Sequence, residues 1–171
     1  MSDQRNETGC KRQLFPLEIA DVLPILNEIS IFAGLSDKQL HTLFRLLEKA
    51  CYKKGEKVFE QDSQPSHIYI IESGSVKLVI NEKSDPLELI VFGEGQCLGE
   101  TSVIGIQPHA ATAIAVEDTE LIVLSRNALL SLLKTDLDLF SILILNIARE
   151  ACRRLHKTDE ILLHYVLRKQ E

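Results

Sequence analysis

Apolar and polar positions recur along this chain with two different periods, and the changes of period organise it. From Leu14 to Glu28 apolar residues return at helical spacing, interrupted by Pro16 and Pro24. Pro24 has no amide to donate and divides this stretch into two short helical pieces. "IFAGLSDKQLHTLFRLLEKA" predicts a further helix. Ser36 with Gln39 three residues later forms a capping box at its start, and Leu40, Leu43, Phe44 and Leu47 share one face.

At Cys51 the period shortens. "CYKKGEKVFEQD" places Gly55 at a turn, and "HIYIIESGSVKLVI" predicts two strands joined around Ser73 and Gly74. "LELIVF" is a third strand, ended by Gly93-Glu94-Gly95, and "HAATAIAV" and "ELIVLS" are two more, separated at Glu117 and Asp118. Short strands roughly ten residues apart predict a sandwich or roll rather than a parallel sheet. After Ser125, a candidate cap for "RNALLSLLK", the helical period returns, and Asp136 or Asp138 opens a long final helix.

The expected fold is therefore α+β: an antiparallel β-roll of jelly-roll or cupin-like form, flanked by N-terminal helices and a long C-terminal helix. Residues 1–13 are polar, without periodicity, and read as a disordered tail. Residues 14–169 read as a single domain, helical over 14–50, a β-roll over 51–125 and helical again over 126–169. In the final helix Phe140, Ile144, Ile147, Ala151, Leu155, Thr158, Leu162 and Tyr165 are spaced by three and four. That stripe either packs on its own domain or forms a helix-to-helix dimer seam. Arg149, Arg153, Arg154, Lys157, Arg168 and Lys169 make the same helix locally basic, which reads mainly as a solvated face.

Composition narrows the function classes. Of 171 residues, 45% are hydrophobic and 26% charged, with a net charge of −6. That balance argues against general nucleic-acid binding, which needs clustered Lys and Arg to displace counterions. The four cysteines, Cys10, Cys51, Cys97 and Cys152, form no CxxC pair, so a reducing compartment with free thiols is expected. No apolar run suggests a secretory signal or a bilayer span of about 20 residues. A cytoplasmic location, without membrane or nucleic-acid partners, is expected. The five histidines include no HxH or helical HxxxH pair. No metal, cofactor or nucleophile–base arrangement is expected, and an enzyme is not.

The stretch that carries chemistry is "GETSVIGIQPHAAT", residues 99–112. Gly99 permits a close backbone approach. Residues 100–104 make one helical turn whose free amides suit an anion. Glu100 is a poor phosphate ligand but a good acceptor for sugar hydroxyls. Ala110 and Ala111 leave the amides at the next strand unobstructed. Together these features suit a ligand with a hydroxylated sugar and a negative group.

This loop resembles the phosphate-binding cassette of cyclic nucleotide-binding domains, whose pattern runs Gly-Glu, a short helix, then Pro-Arg-Ala-Ala-Thr. The resemblance covers about residues 22–165 and includes "IFAGLSDKQL", Gly55 and Asp62 in "KKGEKVFEQD", Gly74 in "YIIESGSVKL" and "EDTELIVLSRNALLSLL". It implies that Glu100 accepts the ribose 2′-hydroxyl, with Gly99 allowing its approach. It also implies that amides around Thr101, Ser102, Ala110 and Ala111 hold the cyclic phosphate, and that the C-terminal helix closes over the base. The ligand implied is cyclic AMP or cyclic GMP. Ser102 and Thr112 offer further hydroxyls.

One position departs from the pattern: the family's phosphate-pairing arginine falls at His109. A neutral imidazole has neither the permanent charge nor the bidentate fork, a loss of about 2–5 kcal/mol. His109 has three open readings: a weakened phosphate contact, a contact for another ligand, or a remnant in a silent pocket. Two functions follow. One is a non-enzymatic regulatory module that senses a cyclic nucleotide or related anion and acts on a regulatory protein partner, as a homodimer through its C-terminal helix. The other is a degenerate domain serving as a dimeric scaffold. Relatives that regulate transcription carry a helix-turn-helix domain after the long helix, for which "HYVLRKQE" is too short.

Overall fold

Runs such as Ile68–Ile71 and Leu121–Leu124 are apolar at every position, which requires a sheet covered on both faces. The computed structural model, which describes residues 29–168 together with Phe15–Pro16 and Ile25, contains that sheet. Its strands are β1 (Phe15–Pro16), β2 (Leu47–Tyr52), β4 (His67–Ser73), β7 (Cys97–Leu98) and β9 (Thr119–Ser125), in the order β1-β2-β9-β4-β7. A second sheet is ordered β3-β8-β5-β6, from β3 (Lys57–Phe59), β5 (Val76–Ile80), β6 (Leu87–Phe92) and β8 (Thr112–Ala115). All pairings are antiparallel.

Strand alternation divides the apolar side chains between two cores. Ala50, Tyr52, Tyr69, Ile71, Leu121 and Val123 face the second sheet and pack with Val58, Val76, Phe92, Ala113 and Ala115. Their neighbours Leu47, Ile68, Ile70, Ile122 and Leu124 face the other way, into a layer of helices. That layer holds a 3-10 turn (Ser30–Phe32), α1 (Asp37–Phe44), α3 (Arg126–Thr135) and α4 (Leu137–Arg168). The remaining helix, α2 (Glu100–Gly105), lies in the cassette and contributes Val103 to the same core. The architecture is the α+β roll with flanking helices that the patterning predicts.

The expected caps are formed. Ser36 Oγ accepts from Gln39 N while Gln39 Oε1 accepts from Ser36 N at 3.0 Å. Ser125 Oγ accepts from Ala128 N at 3.1 Å to start α3. Of the two candidates for α4, Asp136 takes the cap: its Oδ1 accepts from Leu139 N at 3.0 Å.

Several expectations are corrected. The helical reading of 14–50 ends too late, because α1 stops at Phe44 and β2 begins at Leu47. Helical and extended readings both bury Leu47, but alternation also buries Ala50 and Tyr52 on the opposite face. At the other end, Phe15 and Pro16 are not helical. They pair with Lys49 and Glu48 on the edge of the sheet, where a proline without an amide is tolerated. The rest of the expected helical stretch from Leu14 to Glu28, and the tail at 1–13, lie outside the described residues, apart from Ile25.

The two strands joined around Ser73 and Gly74 do not form a hairpin. They enter opposite sheets, as do β8 and β9. These two corners pack on each other: Val116 N donates to Ser75 O at 2.9 Å, and Thr119 Oγ1 to Ser75 O at 3.2 Å. Gly74 has φ +86, and a Cβ there would stand 2.6 Å from Thr119 Oγ1 and 2.7 Å from Asp118 O.

The apolar stripe of the final helix also divides. Ile147 is buried, and Phe140 and Ile144 pack against the protein's own core. Further along, Leu155 and Leu162 are exposed. Tyr165's side chain lies outside the described residues.

Candidate functional site

The cassette is built where β7 leaves the sheet. Leu98 pairs with Tyr69, and Gly99 then turns the chain at φ +83 to cap α2. A Cβ on Gly99 would stand 3.0 Å from His67 O and 3.6 Å from His109 Cε1. The approach of this backbone to β4 therefore depends on glycine. The same contact brings the two ends of the cassette, Gly99 and His109, against each other.

Glu100 is the first residue of α2 and is fully buried. Its Oε1 accepts a hydrogen bond from Arg154 Nη1, on the final helix, while Oε2 is buried without a partner. The Arg154 guanidinium also lies 4.9 Å from the Phe92 ring centre. Burial pushes the Glu100 carboxyl up from its ordinary range, and the nearby guanidinium only partly opposes that shift. Cys97, two residues before Gly99, is likewise pushed up by burial and by the Glu100 and Glu150 carboxylates.

His109 does not face solvent. It is 4% exposed, and its ring stacks on Phe59 with centroids 3.8 Å apart and planes 14° from parallel. Its backbone is tied in both directions: its N–H donates to Ser63 O at 3.0 Å, and its carbonyl accepts from Asp62 N at 2.8 Å. Burial holds its pKa below the ordinary histidine value, which favours the uncharged ring. Beside it, Ala110 is exposed and Ala111 buried. Thr101 is exposed and Ser102 half-buried, and Ser102 O accepts from Gln107 N at 3.1 Å. Thr112 Oγ1 is already engaged, accepting from Gln61 N at 3.0 Å at the edge of a polar cleft of about 240 Å³.

Three residues of this site escape sequence reasoning: Arg154, Phe59 and Phe92. The sequence places Arg154 on a mainly solvated face, and its bond to the buried Glu100 corrects that expectation. A signal was present, because Arg154 continues the buried face of Leu139, Leu143 and Ile147 at helical spacing. The two phenylalanines carried none, since both sit in ordinary strand patterns. Among the described residues no group of His, Cys, Asp and Glu could hold a metal ion, and no helix is long and apolar enough to cross a membrane.

Comparison with known proteins gives a consistent picture. The family model described as "Cyclic nucleotide-binding domain" matches residues 49–136. The chain is 28% identical over 130 residues to a cyclic AMP receptor protein of Thermus thermophilus, covering 75% of this chain and 58% of that one. It is 32% identical over 89 residues to a cAMP-dependent protein kinase regulatory subunit of Debaryomyces hansenii, covering 52% of this chain and 19% of that one. The chain thus spans less than two thirds of the length of these curated relatives. Among solved structures, a cyclic nucleotide-binding domain from Methylobacillus flagellatus superposes with a TM-score of 0.74 at 22% identity. That superposition covers 85% of this chain and 83% of the other. The Thermus thermophilus catabolite activator protein superposes with a TM-score of 0.69 at 28% identity, covering 80% of this chain and 63% of that one.

Proposed function

Since the chain belongs to the cyclic nucleotide-binding domain family, we propose that it is a non-enzymatic regulatory module that takes up a cyclic nucleotide in the 99–112 cassette and signals through its final helix. The observation that carries this reading is Glu100. A fully buried carboxylate with one unpartnered oxygen is costly unless something uses that oxygen. A ribose 2′-hydroxyl would donate to it. Gly99 gives the approach, and amides of Thr101, Ser102, Ala110 and Ala111 would surround the phosphate. Arg154 on α4 supplies a direct route from Glu100 to the final helix. Cyclic AMP and cyclic GMP are the candidate ligands, with a regulatory protein as the downstream partner.

The final helix also supports a homodimer. Leu145, Leu155 and Leu162 are exposed by 53%, 63% and 58%, and they share a seam with Ala148 and Cys152 at three-, four- and seven-residue spacing. A second copy of the helix would cover them. A cytoplasmic setting fits the free thiols of Cys97 and Cys152.

The second reading is the degenerate scaffold. Its support is His109, stacked and held uncharged where the family pattern places an arginine. Calorimetric titration with cyclic AMP and cyclic GMP separates the two. Binding that is abolished by Glu100→Ala supports the sensor. Absence of binding to either at millimolar ligand, both near pH 6 and near pH 7.4, supports the scaffold.

A further inference from the structure

Gly99 stands between two buried side chains whose polar atoms are not satisfied within the fold. One is Glu100, with Oε2 unpartnered. The other is His109: the Cβ position of Gly99 lies 3.6 Å from its Cε1, and neither ring nitrogen is hydrogen-bonded among the described residues. Phe59 stacks on the ring but offers it no hydrogen bond. A buried imidazole that meets neither its donor nor its acceptor is unfavourable unless something else meets them.

The titratable groups on the elements around this ring are engaged elsewhere. Beside Phe59, Lys57 pairs with Glu60 at 3.4 Å and with Glu82 at 2.8 Å. Asp62 holds the His109 carbonyl through its backbone N–H and makes no bond to the ring. On β4, Tyr69 lies against Phe59 with centroids 5.8 Å apart, and His67 Nδ1 is 2.7 Å from Ser66 Oγ. Glu100 is bound by Arg154. In the ligand-free chain burial therefore decides the charge of the ring, in favour of the neutral form. A neutral imidazole has one N–H to give, whereas an imidazolium has two and a charge. An anion arriving beside Gly99 binds the protonated ring more tightly, and by linkage it draws a proton onto that ring.

We propose that His109 takes up a proton as the cassette takes up its ligand and meets the ligand's anionic group as an imidazolium. The site then distinguishes anionic from neutral ligands in acid and loses that distinction as pH rises. This role of His109 rests on the function proposed above and adds a ligand-linked proton to it. The sign is fixed. Above the pKa of the ring in the complex neither state holds the proton, and below its pKa in the ligand-free chain both do. Between the two, affinity for the anion climbs as pH falls, by at most about ten-fold per pH unit.

Calorimetric titration of the full chain with cyclic AMP, in two buffers of different ionisation heat, counts the protons taken up on binding. Adenosine, which keeps the ribose and base without the phosphate, is the control. Cyclic AMP should bind with net proton uptake. Its affinity relative to adenosine should rise about three- to ten-fold from about pH 7.5 to about pH 6. Any titration of Glu100 that answers the ribose enters both ligands and cancels. In His109→Arg and in His109→Gln the ratio should stay constant over this range, and cyclic AMP should bind more weakly to the second. Where adenosine binds too weakly to measure, the proton count with cyclic AMP and its loss in either variant decide. Absence of proton uptake in the wild type overturns the proposal. Uptake that persists in His109→Gln assigns the proton to Glu100 and overturns it too. If the wild type binds cyclic AMP at neither pH while His109→Arg does, the pocket stands and the imidazolium falls. If neither protein binds it, the cyclic nucleotide reading fails and His109 loses this role with it.

Discussion

Arg154 reaches across 54 positions of sequence to bind Glu100, which is buried completely. Removing the guanidinium takes a charged donor from this buried carboxylate and leaves its own backbone amide to oppose the cost of burial. Arg154→Met should therefore destabilise the domain by about 1–3 kcal/mol, discounted for the partial solvent access of the arginine. At this chain length that corresponds to a melting temperature lower by about 3–10 °C. Glu100→Gln combined with Arg154→Met should recover most of the loss. Thermal melts of the two single variants and the double variant at neutral pH measure the coupling, and purely additive losses would contradict it.

His109 makes a pH prediction with a definite sign. Its folded pKa lies below the ordinary 6.5, because burial disfavours the charged ring. As pH falls through 6.5 the unfolded chain takes up a proton that the folded ring resists, so stability declines until the folded pKa is passed. This contribution is at most about 1.4 kcal/mol per pH unit. Glu100, with its raised pKa, contributes in the opposite sense, losing stability as pH rises. Comparing wild type with His109→Gln isolates the histidine: the variant should lose less stability between about pH 7.5 and about pH 5.5. Equal slopes would show that the ring is not held neutral.

Replacing His109 with arginine puts a permanent forked cation where the cassette pattern places one. If the sensor reading is right, His109→Arg should tighten cyclic nucleotide binding at least about ten-fold. Calorimetry reads this directly, and an unchanged or weakened affinity would argue that the phosphate does not lie at this end of the cassette.

The exposed seam of α4 places Cys152 between Ala148 and Leu155. In a parallel pair of helices joined along that seam, the two Cys152 thiols would approach each other. Mild oxidation should then yield a covalent dimer, absent in Cys152→Ser, while light scattering should give twice the chain mass for both reduced proteins. A monomeric mass at micromolar concentration would rule out the seam as an interface.

Three glycines with similar φ should differ in their tolerance of alanine. Gly55, at φ +85 with open space around it, should lose only the conformational strain, about 1 kcal/mol. Gly99 adds a 3.0 Å contact to His67 O, and Gly74 adds two contacts under 2.8 Å. Urea denaturation should rank the losses Gly74, then Gly99, then Gly55, with Gly74→Ala costing about 3 kcal/mol or more.

The patterning along the chain was sufficient for the roll because β4, β5, β6, β8 and β9 each carried their own signal. By contrast, β1 and the start of β2 fell within helical readings, and the short β3 and β7 carried none. "IYII" and "LIVL" are apolar throughout, and that continuity followed from burial on both faces. Local capping chemistry was equally legible, as Ser36, Ser125 and Asp136 show. What depended on distant partners was not. Leu47 satisfies a helical and an extended pattern alike, and only its place beside β9 decides between them. The corner at Gly74 looked like a hairpin turn because the glycine signals a positive φ, not the sheet that the next strand will join. At the site, Gly99 and Glu100 were visible as a motif, whereas the stack of Phe59 on His109 joins positions fifty residues apart, and neither residue announces the other.

The final helix is gripped near its start, by Leu139, Leu143 and Ile147 in the core, and released beyond Arg154. From Ile147 to Arg168 it extends about 30 Å at the usual rise per residue. A pivot of about 10° at the gripped end would sweep the far tip through about 5 Å. A guanidinium shift too small to disturb the roll would thus arrive at the tip as a displacement large enough to make or break a protein contact.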